Sequence, residues 1–380
     1  MLRQQRWAHG AVYGAVVVAV LAGLVGMVQR LRFGHLPAGY GSYVPWGLWV
    51  ALYVFFVGLS AGAFLVFFLH HGLDIRVLRR VSPIALVAAF LSLAAGLFLI
   101  WVDLGHMDRF WKLFSDFTPS SLMAWMTLVY TFYGLVLVLA LWALAAGNQL
   151  LLRRLSWVGM FLVMVFGGGE GALFGVVSAR PYWNSGIIPL RFLFSGLLAG
   201  TALVAMLAVA FRRWPDDDEG RRALTLLGRM MLGLLGVTVL TEFADISINL
   251  YSAIPATVDA YRLVFFGPYA WVFWIVQASL GLAVPVVLLL YAQRHGSGAA
   301  MGVAGALVML GVLAARLNVI IPGQVVLGFR ALPQAFVHPR LASAYFPGAM
   351  EWMVAVGVAG AALLVFMLAV ERWRVLSAGS

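Results

Sequence analysis

The stretch Phe161–Val177, FLVMVFGGGEGALFGVV, contains one ionisable residue, Glu170, in a run otherwise made of apolar side chains and glycine. With the apolar residues before it, the run covers about 155–178, long enough at about 1.5 Å per residue to cross a bilayer core of about 30 Å as a helix. Nine further segments share this character, near 11–31, 46–70, 84–103, 122–147, 187–211, 224–251, 263–292, 299–318 and 349–370. The composition agrees: 63% of the 380 residues are hydrophobic, only 10% are charged, and the mean hydropathy is +0.98. The fold class is therefore an all-α integral membrane protein with about ten transmembrane helices. No interval between the segments is long enough for a separate soluble domain, so a soluble catalytic centre has to come from another polypeptide.

The net charge of +11 does not point to nucleic acid, because the basic residues stand at helix ends and form no stripe. Arg79, Arg80, Arg153, Arg154, Arg212, Arg213, Arg221, Arg222, Arg372 and Arg374 fall on one side of the membrane if the helices alternate. The positive-inside rule makes that side cytoplasmic and puts both termini there, with the first apolar run read as an uncleaved helix. The chain has no cysteine, which excludes a disulfide and an iron-sulfur cluster held by its own thiolates. The histidines divide between the inner side (His9, His70, His71, His295) and the outer side (His35, His106, His338). They offer no facing pair within the helices for a bis-histidine haem.

Charges within a bilayer are costly, so their positions are informative. Asp103, Glu170, Glu242, Asp245, Arg316 and Glu351 all fall in the outer half under this topology. The inner half offers only weaker groups such as Ser60, Thr131 and Thr201. Thr238, Glu242, Asp245 and Asn249 recur at i, i+4, i+7, i+11 and form one polar stripe. Two acids one turn apart must share a proton or pair with a cation, and Arg316 is a candidate partner. Two readings stand for that cluster: a structural ion pair locking two helices, or a proton-exchanging site. Gly167, Gly171 and Gly175 form a small-residue stripe that lets a neighbouring helix approach. Close packing needs no acid, so Glu170 reads as a proton-handling group. Between the third and fourth segments, Phe110, Phe114 and Phe117 at i, i+4, i+7 read as an amphipathic helix in the interface. GLSAG at 58–62 and GLLAG at 196–200 echo each other four helices apart.

Six segments taken in order are PWGLWVALYVFFVGLSAG (45–62), IWVDLGHMDRFWKLF (100–114), FTPSSLMAWM (117–126), RPYWNSGIIPLRFLFSGLLAG (180–200), RLNV (316–319) and YFPGAMEWMVAVG (345–357). Together they resemble the polysulfide reductase membrane-subunit (NrfD-type) family. Within it the likeness is to the ten-helix membrane subunits of quinone-linked nickel-iron hydrogenases. The resemblance implies a single membrane domain: an extra N-terminal helix (1–40), a four-helix bundle (41–178), a second (179–318), then an outer loop and a C-terminal helix (319–380). It implies a menaquinone or ubiquinone bound as substrate near the outer face. It also implies a ferredoxin-like iron-sulfur subunit and a molybdopterin or nickel-iron catalytic subunit as partners, in a bacterial or archaeal cytoplasmic membrane.

By position, Asp103 matches the family's acid in its DLG segment. Glu170 replaces a histidine of the hydrogenase-type members, Tyr53 replaces a polar His or Asp, and Gln277 replaces a glutamate. The expected site is therefore Glu170 and Asp103 for proton exchange, with Tyr53 and His106 as hydrogen-bond partners to the quinone head group. Glu242, Asp245 and Arg316 form a second polar cluster. Three other readings remain: a secondary transporter using the buried acids, a membrane anchor for a partner, and a quinone-coupled proton pump using the second cluster.

Overall fold

The computed structural model describes residues 2–211, 218–326 and 344–372. Arg212, Arg213, His338 and Arg374, together with most of the expected outer loop, lie outside the described residues. Ten helices are long and apolar enough to cross a membrane. They are α1 (Leu2–Phe33), α2 (Leu48–His71), α3 (Ser82–Asp103), α4 (Leu122–Ala145), α5 (Gln149–Gly175), α6 (Ile188–Ala210), α7 (Asp218–Tyr251), α8 (Val272–His295), α9 (Gly298–Ile320) and α10 (Ala349–Arg372). Among the described residues there is no strand. The protein is an all-helical, multi-pass membrane protein.

Local chemistry sets the helix ends. The side chains of Ser121, Asn148 and Ser297 accept hydrogen bonds from the amides of Ala124, Leu151 and Ala300 and so cap α4, α5 and α9. Pro83 and Pro189 open α3 and α6, where a missing N–H costs nothing. Gly296, with φ of 64°, closes α8 in the left-handed conformation that glycine adopts without strain.

At the centre lies α2, buried at nearly every position from Leu48 to Phe68. Its sequence is apolar all round, as a helix surrounded by other helices requires. It packs on α3, α5, α6 and α9, while α6 packs in turn on α5, α7 and α9, and α1 packs on α10. The echoed GLSAG and GLLAG segments are the crossing point of α2 and α6. A Cβ on Gly58 would meet the Gly196 backbone, and one on Gly62 or Gly200 would strike the opposite backbone. Without a hydrophobic force between helices in lipid, such close approach is how dispersion contacts accumulate. Gly23 on α1 meets Gly357 on α10, and Gly281 on α8 meets Gly311 on α9, in the same way.

Two segments depart from regular α-helix. The region read as one amphipathic helix breaks into a turn at Met107–Arg109 and a short helix at Lys112–Ser115. Phe110 and Phe114 are about half exposed and border a cavity beside α3, whereas Phe117 packs edge-on against Trp125. The first half of α8, Val272–Ala283, is wound as a π-helix in which only Gln277 is buried. The wider winding is supported by Ser279 Oγ, which donates to the Trp274 carbonyl at 2.7 Å.

Candidate functional site

Toward the Asp103 end of α3, helices α2, α3, α4 and α5 and the turn after α3 border a half-open cavity of about 910 Å³. Its size lies in the range of about 300–1,000 Å³ typical of small-molecule sites. Most of the wall is aromatic or aliphatic, and its polar groups are few: Tyr53, Asp103, Thr127, Tyr130, Thr131 and Glu170.

Glu170 is 2% exposed. It reaches the cavity while Gly167, Gly171 and Gly175, on a stripe about a quarter-turn round α5 from it, pack against the start of α6, near Leu193, Pro189 and Ser185. The small-residue stripe therefore packs helices while the acid faces the cavity. Tyr130 on α4 donates to Glu170 Oε1 at 3.1 Å, and Tyr53 on α2 donates to the Tyr130 hydroxyl at 2.9 Å. Three groups from three helices thus form one chain of hydrogen bonds, Tyr53 to Tyr130 to Glu170.

Asp103, the last residue of α3, stands at another part of the wall. Its Oδ1 accepts from the Tyr40 hydroxyl at 2.6 Å. Arg30 holds the backbone on both sides of it, donating from Nε to the Val102 carbonyl at 2.9 Å and from Nη2 to the Leu104 carbonyl at 2.6 Å. Burial, and then the charge of Asp103, push the Tyr40 hydroxyl well above its ordinary pKa, so it stays a donor. Beside it the His35 ring packs tilted against the Tyr40 ring, with centroids 5.2 Å apart, and its Nε2 is buried without a partner among the described residues. Burial, helped by Arg30, brings His35 down to about 4 and keeps it neutral. Glu351 at the head of α10 accepts from the amides of Gly39 and Gly348 and from the Tyr345 hydroxyl, so it ties backbone segments together away from the cavity wall.

His106 is not part of the wall. The backbone leaves α3 at Leu104 and turns outward, leaving the His106 side chain 68% exposed with Asp108 3.7 Å away. Trp101 Nε1, donating to the Met107 carbonyl at 3.1 Å, holds the turn in that position.

The second cluster has a different cation from the one expected. Arg191 on α6 bridges the two acids of α7, with Nη1 at 2.5 Å from Asp245 Oδ2 and Nη2 at 3.0 Å from Glu242 Oε1. Ser185 and Asn249 donate to Asp245 Oδ1, and Gln277, turned inward by the π-helix, donates to Glu242 Oε1 at 2.6 Å. Asn318 donates to Gln277 Oε1 at 2.9 Å. Arg316 instead lies across the Phe192 ring, 3.9 Å from its centroid, and donates to the Phe192 carbonyl and Ser195 Oγ. The reason is geometric: Arg191 sits one helix closer to the acids and takes both.

Sequence reasoning misses Tyr130 and Arg191. A tyrosine in the middle of an apolar helix has a hydroxyl that needs a partner, which is the available signal for Tyr130. Arg191 lies three residues inside α6 and passes for an interfacial charge at a helix end. Among the described residues no group of three or more His, Asp or Glu side chains is arranged to hold a metal.

The model of the family described as polysulphide reductase, NrfD, matches residues 38–328. The chain belongs to the NrfD family. A selenate reductase subunit from Mesobacillus selenatarsenatis is 31% identical over 92% of this chain and 91% of its own length. An Hdr-like menaquinol oxidoreductase integral membrane subunit from Archaeoglobus fulgidus is 26% identical over 89% of this chain and 87% of its own. A polysulfide reductase polypeptide from Wolinella succinogenes is 28% identical over 75% of this chain and 96% of its own. The NrfD match takes in every residue of the cavity wall, while α1 and α10 lie outside it.

Proposed function

We propose that this NrfD protein is the quinone-reactive membrane subunit of a multi-subunit respiratory oxidoreductase. It exchanges electrons between an iron-sulfur partner subunit and menaquinone or ubiquinone, with proton exchange near the outer face of a bacterial or archaeal cytoplasmic membrane. Both termini are cytoplasmic in this reading, because the arginine pairs at the helix ends define that side. The observation that carries it is the cavity itself: a largely apolar chamber at membrane depth with Glu170 and Asp103 in its wall and two tyrosines hydrogen-bonded in series.

A bound quinone supplies two-electron, two-proton chemistry, which the protein's own side chains lack. The cavity fits such a molecule in volume and polarity. Flat aromatic walls from Trp46, Phe98, Phe110 and Phe174 suit a ring, and the hydroxyls and carboxyls suit its oxygens. Glu170 holds an exchangeable proton on its carboxyl, oriented by the Tyr130 hydroxyl at Oε1. Tyr53 and Tyr130 offer a relay of hydroxyl protons toward that carboxyl. Asp103 handles the second proton close to the outer surface, with Tyr40 donating to Oδ1. Electrons come from or go to a cluster in a ferredoxin-like partner, which serves a molybdopterin or nickel-iron catalytic subunit.

Copurification tests the reading. Affinity isolation of the protein from native membranes should bring down an iron-sulfur protein with quinone-dependent turnover. Isolation of the protein alone, coupled to solute uptake in liposomes, would favour a transporter instead.

A further inference from the structure

A second hollow, of about 320 Å³, lies between α1, α3 and α10. It arises because α10 packs on both α1 and α3, with Gly23 and Gly357 in close contact, while the small side chains of Ala94, Ala95 and Ala361 leave space beside that contact unfilled. Every side chain lining it is apolar. Ala94 and Phe98 line this hollow and the Glu170 cavity alike, so the two share a wall. On α3 the slot is bounded from Phe98 to Leu91. Starting from Asp103 at the helix end, that is a descent of about 18 Å at 1.5 Å per residue, to roughly the middle of a core about 30 Å thick.

We propose that this slot receives the isoprenoid tail of the quinone whose head group enters the Glu170 cavity; the inference rests on reading that cavity as the quinone site. A quinone joins a polar ring to a long branched hydrocarbon, and the two adjoining hollows divide in the same sense. One carries acids and hydroxyls; the other carries none. The tail passes beside Phe98 and runs inward, the direction in which a hydrocarbon tail remains in hydrocarbon. The proposal gives α1 and α10 a role. They lie outside the residues matched to NrfD, and they supply two of the three walls.

The test uses the intact complex in nanodiscs and a menaquinone analogue with a photoreactive diazirine in its tail. Labels mapped by mass spectrometry should fall on residues 20–27, 91–98 and 354–365. Ala361→Phe, which fills the slot from an exposed position, should remove those labels and raise KM for long-tailed menaquinol about tenfold. It should leave a tail-less naphthoquinol within twofold. Ala359→Phe, on the same helix but off the slot, should change neither and reports on folding. Labels confined to other helices, or equal KM changes for both substrates in Ala361→Phe, would overturn the proposal. So would a slot variant that loses a copurifying phospholipid with no change in labelling or KM, which would make the occupant a lipid acyl tail. If the unsubstituted complex turns over neither quinol, the reading of the Glu170 cavity falls, and the tail site with it.

Discussion

Tyr130 on α4 donates a hydrogen bond to Glu170 on α5 across 3.1 Å, at a wall where both are buried. The bond fixes the direction of a carboxyl that would otherwise rotate in a roomy cavity, and it links the acid to Tyr53. Tyr130→Phe should therefore lower quinone turnover by about 10-fold to 100-fold, short of the ~10²–10⁴ attributed to a proton-transferring group itself. Steady-state rates of the assembled complex check this. Unchanged turnover would mean that the hydroxyl neither orients the acid nor relays a proton.

Arg191 on α6 pairs with both Glu242 and Asp245 on α7. Arg191→Met leaves buried acids without their cation and should cost about 3–5 kcal/mol of stability. Adding Glu242→Gln and Asp245→Asn should recover much of that. Thermal unfolding in detergent measures both. A larger loss from Arg316→Met than from Arg191→Met would contradict the pairing.

Two helix glycines should respond in opposite ways. At Gly200 a Cβ runs into the backbone of Leu59, Gly62 and Ala63, whereas at Gly168 it meets nothing within 4 Å. Gly200→Val should block assembly of α2 against α6, and Gly168→Ala should be tolerated. Yields of monodisperse protein after extraction separate the two cases.

His35 supplies a pH signature. Its pKa is lowered from 6.5 to about 4, by burial first and Arg30 second. The unfolded protein takes up a proton near 6.5 that the native imidazole refuses. Stability from this site is thus complete above 6.5, declines as pH falls toward 4, and is flat below. The melting temperature of the natural protein should fall more between pH 6.5 and 4.5 than that of His35→Gln. Parallel curves would show that the imidazole is as easily protonated in the fold as out of it.

The ten spans are legible because apolar length is a strong signal, and lipid allows few alternatives to a helix. Charged residues at membrane depth mark Glu170 and Asp103 for the same energetic reason. The helix–helix pairings are less visible. GLSAG and GLLAG look like a repeat, and the structure shows them as the two sides of one contact. Partner choice is not a local property: in the sequence Arg316 is the cation that stands out for the α7 acids, while Arg191, at the edge of its helix, takes both. The π-winding that brings Gln277 to Glu242 has no sequence period of its own to announce it.

The most direct test of the central claim is quinone-linked turnover of the purified complex carrying Glu170→Gln. The substitution keeps size and most hydrogen bonding but removes the exchangeable proton. Turnover with menaquinol or menaquinone should fall by about 100-fold or more, while the partner subunits still copurify and their activity with an artificial donor or acceptor is intact. Normal quinone turnover in that variant would contradict the assignment of Glu170 as the group that exchanges protons in the cavity.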